Sequence, residues 1–207
     1  MIEINENALQ LAVLIACAVC AVVNFVRLRN QGWVFLALAY SGFALGDGYW
    51  LACLLAYGKT PQISAVSDLS WYTFHLFVYL LLKQVLPEKL SARSPLSWAG
   101  PVFAAAAAVF FMRWGSYLSN VVSAVLMGIL LYQAIGGLLV LRKHPKDRRR
   151  FLYLVTLVFC LLNYALWISS CFWDVGTLSS PYYWLDFMMT LCFPLFLPAT
   201  GKAVSAP

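Results

Sequence analysis

Charge is scarce in this chain. Only 11% of its 207 residues are Asp, Glu, Lys or Arg, against about 25% in an ordinary soluble domain. The shortfall excludes a water-facing globular surface, so most side chains must face lipid or other apolar helices. Histidine is scarcer, with His75 and His144 alone. The sequence also lacks G-x-S-x-G, H-E-x-x-H, a phosphate-cradling Gly-rich loop and any paired metal-ligand spacing. No metal or cofactor is therefore expected, and nothing speaks positively for an enzyme, although a nucleophile paired with His75 stays open. The opening heptad MIEINEN contains no basic residue, unlike a signal-peptide n-region, so the first apolar run is expected to be a retained span. Only GKAVSAP follows the last apolar run, so a single transmembrane domain over 1–207 is expected.

Apolar residues fill the space that charge leaves. They make up 63% of the chain, with a mean hydropathy of +0.80, and aromatics reach 16%. Runs of about 20 apolar residues cross a bilayer as helices, because backbone polar groups in lipid must bond within the segment. Seven such runs lie at about 8–26, 33–56, 68–86, 97–113, 117–141, 151–173 and 182–200. The fold class is thus all-α, a polytopic membrane helical bundle of seven transmembrane helices. All six cysteines fall within apolar runs, and the C-x-x-C spacing of Cys17 and Cys20 sits mid-helix, so buried packing is expected and not a redox or metal site.

Basic residues set the orientation. Arg27, Arg29, Lys83, Lys89, Arg93, Arg142, Lys143, Lys146, Arg148, Arg149, Arg150 and Lys202 fall on one side, with only Lys59 and Arg113 on the other. The positive-inside rule then puts the N-terminus outside and the C-terminus in the cytoplasm, and seven crossings fit that. The net charge of +6 is explained by this clustering, and nucleic acid is not an expected partner. The run Arg142, Lys143, Arg148, Arg149 and Arg150 reads as a topology determinant, or as a contact for anionic lipid or a cytoplasmic signalling partner.

The stretch Gly46 to His75 carries the polar chemistry. A carboxylate inside a span costs about 2.5–3.5 kcal/mol on insertion scales and marks a functional site by default. Asp47 is such a residue, flanked by Gly46 and Gly48, which permit close helix approach or a local break; Trp50 shares its face. Asp68, Trp71 and His75 follow i, i+3, i+7 and share one face of the third span. Asp68 and Asp186 read equally as helix caps or as site residues. His75 reads as a hydrogen-bonded packing residue, or as a group that titrates near neutral pH beside Asp68. Asn24, Asn120, Gln133 and Asn163 are expected to bond between helices.

A looser copy of this stretch returns at Asn163, Trp167, Gly176, Trp184 and Asp186, and Gly58 to Asp68 and Gly176 to Asp186 both span ten residues. Spans 1–3 would then match spans 5–7, a 3+1+3 parallel repeat. Together Asp47, Trp50, Asp68, Trp71, His75, Asn163, Trp167, Trp184 and Asp186 are expected to line a ligand-binding cavity in the outer half of the bundle. Carboxylates among indole faces suit a cationic or hydroxylated ligand, or a proton relay.

Gly46-Asp47 with Trp50, Gly58 with Pro61, and Ser64 or Ser67 with Asp68 resemble a pattern in a bacterial multi-spanning membrane domain. That domain is found alone and fused to diguanylate cyclases and histidine kinases. The resemblance covers about 30 residues, and it implies a sensory role in the cytoplasmic membrane. The seven-span 3+1+3 layout, with Thr60-Pro61-Gln62, is similar to SWEET-type small-solute transporters. The length and the Gly-Asp within a span also resemble the lysoplasmalogenase-like family, which implies a membrane-embedded lipid hydrolase.

A green-fluorescent-protein fusion at the C-terminus is expected to fluoresce, since its chromophore forms in the cytoplasm. A periplasmic reporter in the Lys59 loop should be active. The reverse pattern would overturn the orientation.

Overall fold

The computed structural model describes residues 2–86, 94–142, 144–173 and 177–205. Lys89, Arg93, Lys143 and Gly176, which entered the topology and repeat readings, lie outside them. The described elements are helices: α1 (Ile2–Leu28), α2 (Gln31–Tyr57), α3 (Ala65–Val85), α4 (Ala99–Phe111, after a 3-10 turn at Pro95–Trp98), α5 (Tyr117–Leu141), α6 (Arg150–Phe172), α7 (Pro181–Cys192) and α8 (Phe196–Val204). A 3-10 turn at Phe193–Leu195 joins α7 to α8, so the last segment is one broken helix. Pro194 explains the break, because it has no N–H for the ladder. The hydroxyl of Tyr40 donates to the Phe193 carbonyl at 2.6 Å and satisfies it inside the bundle.

Seven helical segments are therefore present, as the apolar runs predict. Five are long and apolar enough to cross a membrane: Ile2–Leu28, Ala65–Val85, Tyr117–Leu141, Arg150–Phe172 and Pro181–Val204. The α4 segment, Pro95–Phe111, is short. The α2 helix has the length, at 27 residues, but dilutes its apolar run with Asp47, three glycines and aromatic polar tips. α1 begins six residues earlier than the first apolar run, so the acidic heptad is helical and not a tail.

Lipid-facing side chains are plain on the outside. Ile15, Val19, Val22, Val23 and Val26 form an exposed apolar stripe on α1, and Val102, Phe103, Val109 and Phe110 do so on α4. Apolar surface this continuous fits a membrane environment and not water. Tyr57, Trp98, Tyr117, Trp173 and Trp184 are exposed near helix ends, where amphipathic rings meet headgroups.

Neighbour contacts run α1 to α2, α2 to α3, α3 to α5, α5 to α6, α6 to α7, and α7 back to α1. α4 leans on α5 from outside this ring. Its approach is close because small residues meet: a Cβ on Gly100 would lie 2.6 Å from the Leu131 Cβ, and one on Gly128 3.3 Å from the Ala104 Cβ. Midway along the helices, the core is aromatic. Tyr40, Phe74, Phe159, Phe193 and Phe196 are fully buried. Phe74 packs on Phe159 at 4.8 Å, Phe193 at 5.3 Å and Phe196 at 5.6 Å between ring centroids.

The α2–α3 contact depends on two glycines. A Cβ on Gly42 would collide with the Thr73 side chain, and one on Gly46 would stand 2.8 Å from the Trp71 Nε1. Gly46 thus serves close approach and not a break. Gly46→Ala and Gly42→Ala are expected to destabilise the protein by about 1–3 kcal/mol through overpacking. Gly48→Ala, whose Cβ meets only Leu11 at 3.9 Å, should be neutral or gain about 0.5–1 kcal/mol in helix propensity. Thermal unfolding in detergent compares the three; equal effects would remove the special place of the first two.

Candidate functional site

The polar residues gather above the aromatic core, at the end opposite the α1 C-terminus. A cavity of about 540 Å³ is walled by the beginnings of α1, α3, α5 and α7 and the ends of α2, α4 and α6. This is the end at which the chain turns through Gly58, Pro61 and Gly115, and Thr60 and Gly115 lie at the cavity margin. Eight of the nine predicted site residues line it: Asp47, Trp50, Asp68, Trp71, His75, Asn163, Trp167 and Asp186.

Trp184 does not join them. It is exposed, and its indole N–H donates to the Leu178 carbonyl at 3.0 Å. Two residues from Asp186 on a helix, it points about 200° away, so the side that buries Asp186 turns Trp184 outward. It belongs with the interfacial aromatics.

Asp47 sits beside the close α2–α3 approach at Gly46. It is 1% exposed. Its Oδ1 accepts the Trp71 indole N–H at 2.9 Å, a bond the missing Cβ of Gly46 makes room for. Its Oδ2 has no partner among the described residues. Trp71 is packed against Phe43 at 6.1 Å and Trp50 at 5.7 Å between centroids. The Trp50 indole N–H reaches Glu3 Oε1 at 3.3 Å.

Neither Asp68 nor Asp186 is a backbone cap. α3 starts at Ala65, and the Asp68 Oδ2 accepts from the Ser119 hydroxyl of α5 at 3.0 Å and from Ser64 at 3.5 Å. Ser180 caps α7 by accepting from the Tyr182 N–H, six residues before Asp186. The Asp186 Oδ1 accepts from Gln10 Nε2 at 3.2 Å, and the same amide donates to Thr190 Oγ1 at 2.9 Å. Glu6 lines the cavity from α1, and its Oε1 has no partner among the described residues.

His75 is buried and is not bonded to Asp68. Its Nδ1 lies 3.0 Å from the Trp71 carbonyl. A carbonyl only accepts, so Nδ1 carries the proton and Nε2 presents a lone pair in the neutral ring. Nε2 has no partner among the described residues. Asn163 turns its amide N–H toward the Met189 sulfur at 3.9 Å, which leaves its Oδ1 unpaired.

Comparison with family models, curated proteins and solved structures finds no match. The site must therefore be read from its own chemistry. Sequence reasoning missed Glu3, Glu6 and Gln10, which face the cavity from α1. No apolar period announced it, because Ile2 and Ile4 are two residues apart and the buried face of α1 begins with Glu6 and Gln10. It also missed a hydroxyl chain on the far wall. Ser123 donates to the Tyr72 oxygen at 3.1 Å, Tyr72 and Ser119 hydroxyls lie 2.6 Å apart, and Ser119 ends the chain on Asp68. Asn120 bonds between segments as expected, donating to the carbonyls of Phe111 and Trp114, whereas Asn24 turns back onto Cys20 of its own helix.

The remaining predicted contacts are at the other end. Arg142, Arg148 and Arg150 are exposed. Arg149 is instead held by Asp147 in a two-pronged pair at 2.7–3.1 Å, and the guanidinium keeps the Asp147 carboxyl below the usual carboxylate range. No group of three or more His, Cys, Asp or Glu capable of holding a metal occurs among the described residues. Cys17 is buried while Cys20 is exposed, so the two do not share a site.

The hydroxyl chain should behave as a unit. Tyr72→Phe and Ser119→Ala are each expected to cost about 1 kcal/mol, with a coupling of about 0.5–3 kcal/mol in the double variant. Strict additivity in detergent unfolding would show that the two hydroxyls act independently.

Proposed function

We propose that this protein binds a small ligand in the cavity at the N-terminal end of the bundle, and that binding is how it senses its surroundings. The observation that carries the reading is Asp47. A carboxylate 1% exposed in an apolar helix holds one oxygen to Trp71 and leaves the other unpaired toward a cavity of about 540 Å³. A buried acceptor without a donor costs about 1–3 kcal/mol, and more when charged. Such a cost is sustained where a ligand supplies the missing donor. The volume falls within the about 300–1,000 Å³ of small-molecule sites.

In this reading the protein sits in a bacterial cytoplasmic membrane with its N-terminus and the cavity outside. The basic residues support the orientation: Arg27, Lys83, Arg142, Arg150 and Lys202 all lie at the end opposite the cavity. The similarity of the Gly46–Asp68 stretch to sensory membrane domains supports a partner on that basic end. Exposed Arg142, Arg148 and Arg150 are the residues to meet it.

A transporter needs a polar path onward. Asn24 and Gln133, the polar residues expected to continue one, do not line the cavity. Below it Phe43 packs on Phe193 at 4.9 Å and on Phe74 at 5.6 Å, above the buried aromatic core. A dead-ended cavity favours binding over passage. For lipid hydrolysis His75 is the imidazole on the cavity wall, and no hydroxyl or thiol bonds its Nε2 among the described residues.

The purified protein, screened by thermal unfolding against a chemically diverse small-molecule library, should be stabilised by at least one class of compound. Asp47→Asn keeps the shape and can still accept from Trp71, so its unliganded midpoint should move little while the ligand-induced rise disappears. A library that stabilises nothing, or a rise that survives Asp47→Asn, would remove the proposal.

A further inference from the structure

The unpaired atoms on the cavity wall share one chemical sense. Asp47 Oδ2, Asn163 Oδ1 and His75 Nε2 are buried, line the cavity and have no partner among the described residues. All three are acceptors, since the His75 proton is committed at Nδ1 to the Trp71 carbonyl. Glu6 Oε1, also buried and on the cavity wall, likewise has no partner among the described residues. The fully buried unpaired donors among the described residues, Trp33 Nε1 and the hydroxyls of Ser67, Tyr164 and Thr200, belong to residues outside the lining. The fully buried unpaired atoms of the cavity wall therefore call for a donor.

Charge points the same way. Glu3, Glu6, Asp47, Asp68 and Asp186 all line the cavity, and no Lys or Arg does. Five of the chain's eight acidic residues gather here, and Lys59 and Arg113, the two basic residues on this side, stay out of the lining. The remaining wall is apolar and aromatic, with Phe43, Trp71, Phe111, Leu166 and Trp167. Such faces attract a cation and cover a hydrocarbon body.

We infer that the ligand is an organic amine, a protonated ammonium bearing N–H donors on an apolar or aromatic body, its head held by Asp47 with Glu6 and Asp186 and its body lying against Trp71 and Trp167. This inference rests on the binding function proposed above and narrows its ligand class. A quaternary ammonium has the charge but no N–H, and would leave the three acceptors bare. A neutral alcohol supplies one donor and no charge. An inorganic cation would not use the aromatic wall.

The test uses the full chain in phosphatidylcholine nanodiscs, with empty nanodiscs as blank. The probes are benzylamine, 2-phenylethylamine and tryptamine, the N,N,N-trimethyl form of 2-phenylethylamine, 2-phenylethanol and phenylacetate. Affinity is read by calorimetry and by the shift in unfolding midpoint. At least one primary amine should bind ten times or more tighter than the trimethyl, alcohol and carboxylate probes. Asp47→Asn and Asp186→Asn should each weaken that amine at least tenfold. If Asp47→Asn does not fold, the Asp186→Asn variant and the wild-type probe series decide. Equal binding of the alcohol or the trimethyl probe would overturn the amine assignment while leaving a binding cavity. Library compounds that bind while all three amines fail at millimolar concentration would do the same. Failure of library and amines alike would remove both readings.

Discussion

A carboxylate set inside an apolar bundle must be given donors, and the arrangement of this protein follows from that need. Asp47 is served by one side chain of the neighbouring helix, the Trp71 indole at 2.9 Å. The bond requires α2 and α3 to touch, and they can touch because Gly42 and Gly46 present no Cβ to Thr73 and Trp71. Trp71 in turn fixes Trp50 and Phe43 by ring contact, and its carbonyl fixes the His75 tautomer. One bond thus places an acid, three aromatic walls and an imidazole. The aromatic core beneath the cavity supplies apolar burial that offsets the cost of keeping polar groups under-satisfied here.

Much of this was legible from residue type and spacing. Asp47 stood out because an acid amid a span, too far from a helix start to be a cap, reads as a site residue or as one half of a buried pair, and it does pair with Trp71. The i, i+3, i+7 spacing of Asp68, Trp71 and His75 did place them on one cavity-facing side of α3. What failed has physical reasons. Glu3 and Glu6 precede the apolar run and Gln10 is a lone polar residue near its start, and polarity there looks solvated until tertiary packing shows otherwise. Tyr72, Ser119 and Ser123 are residues whose hydroxyls acquire meaning only from distances. Trp184 was grouped with Asp186 by sequence proximity, where helical rotation separates them. Spacing within one helix is readable; pairing between helices is a property of the bundle.

The bundle also bears on the proposed repeat. Exchanging α1–α3 with α5–α7 maps each contact of the ring onto another contact of the ring, with α4 left outside as the connector. The side chains follow the same exchange. Asp68 of α3 accepts from the start of α5 through Ser119, and Asp186 of α7 accepts from the start of α1 through Gln10. Asp47 of α2 meets Trp71 of α3, and Asn163 of α6 meets Met189 of α7. Two hairpins built alike would close on each other around a shared axis, which places the cavity between them and draws walls from every segment.

The departures from that symmetry matter more for chemistry than the symmetry does. Where one half has a carboxylate and an indole, Asp47 and Trp71, the other has a neutral amide and a thioether, Asn163 and Met189. Where α5 offers the hydroxyls of Ser119 and Ser123, α1 offers two acids and an amide, Glu3, Glu6 and Gln10. Four of the five acids, Glu3, Glu6, Asp47 and Asp186, stand on α1, α2 and α7, while the fifth, Asp68 of α3, is bonded to the hydroxyl of Ser119 on a wall of α5 and α6 that is otherwise hydroxylic and apolar. A symmetric cavity would accept a ligand either way round. The uneven spread of acids here would favour one sense for a molecule with one charged head and one apolar end.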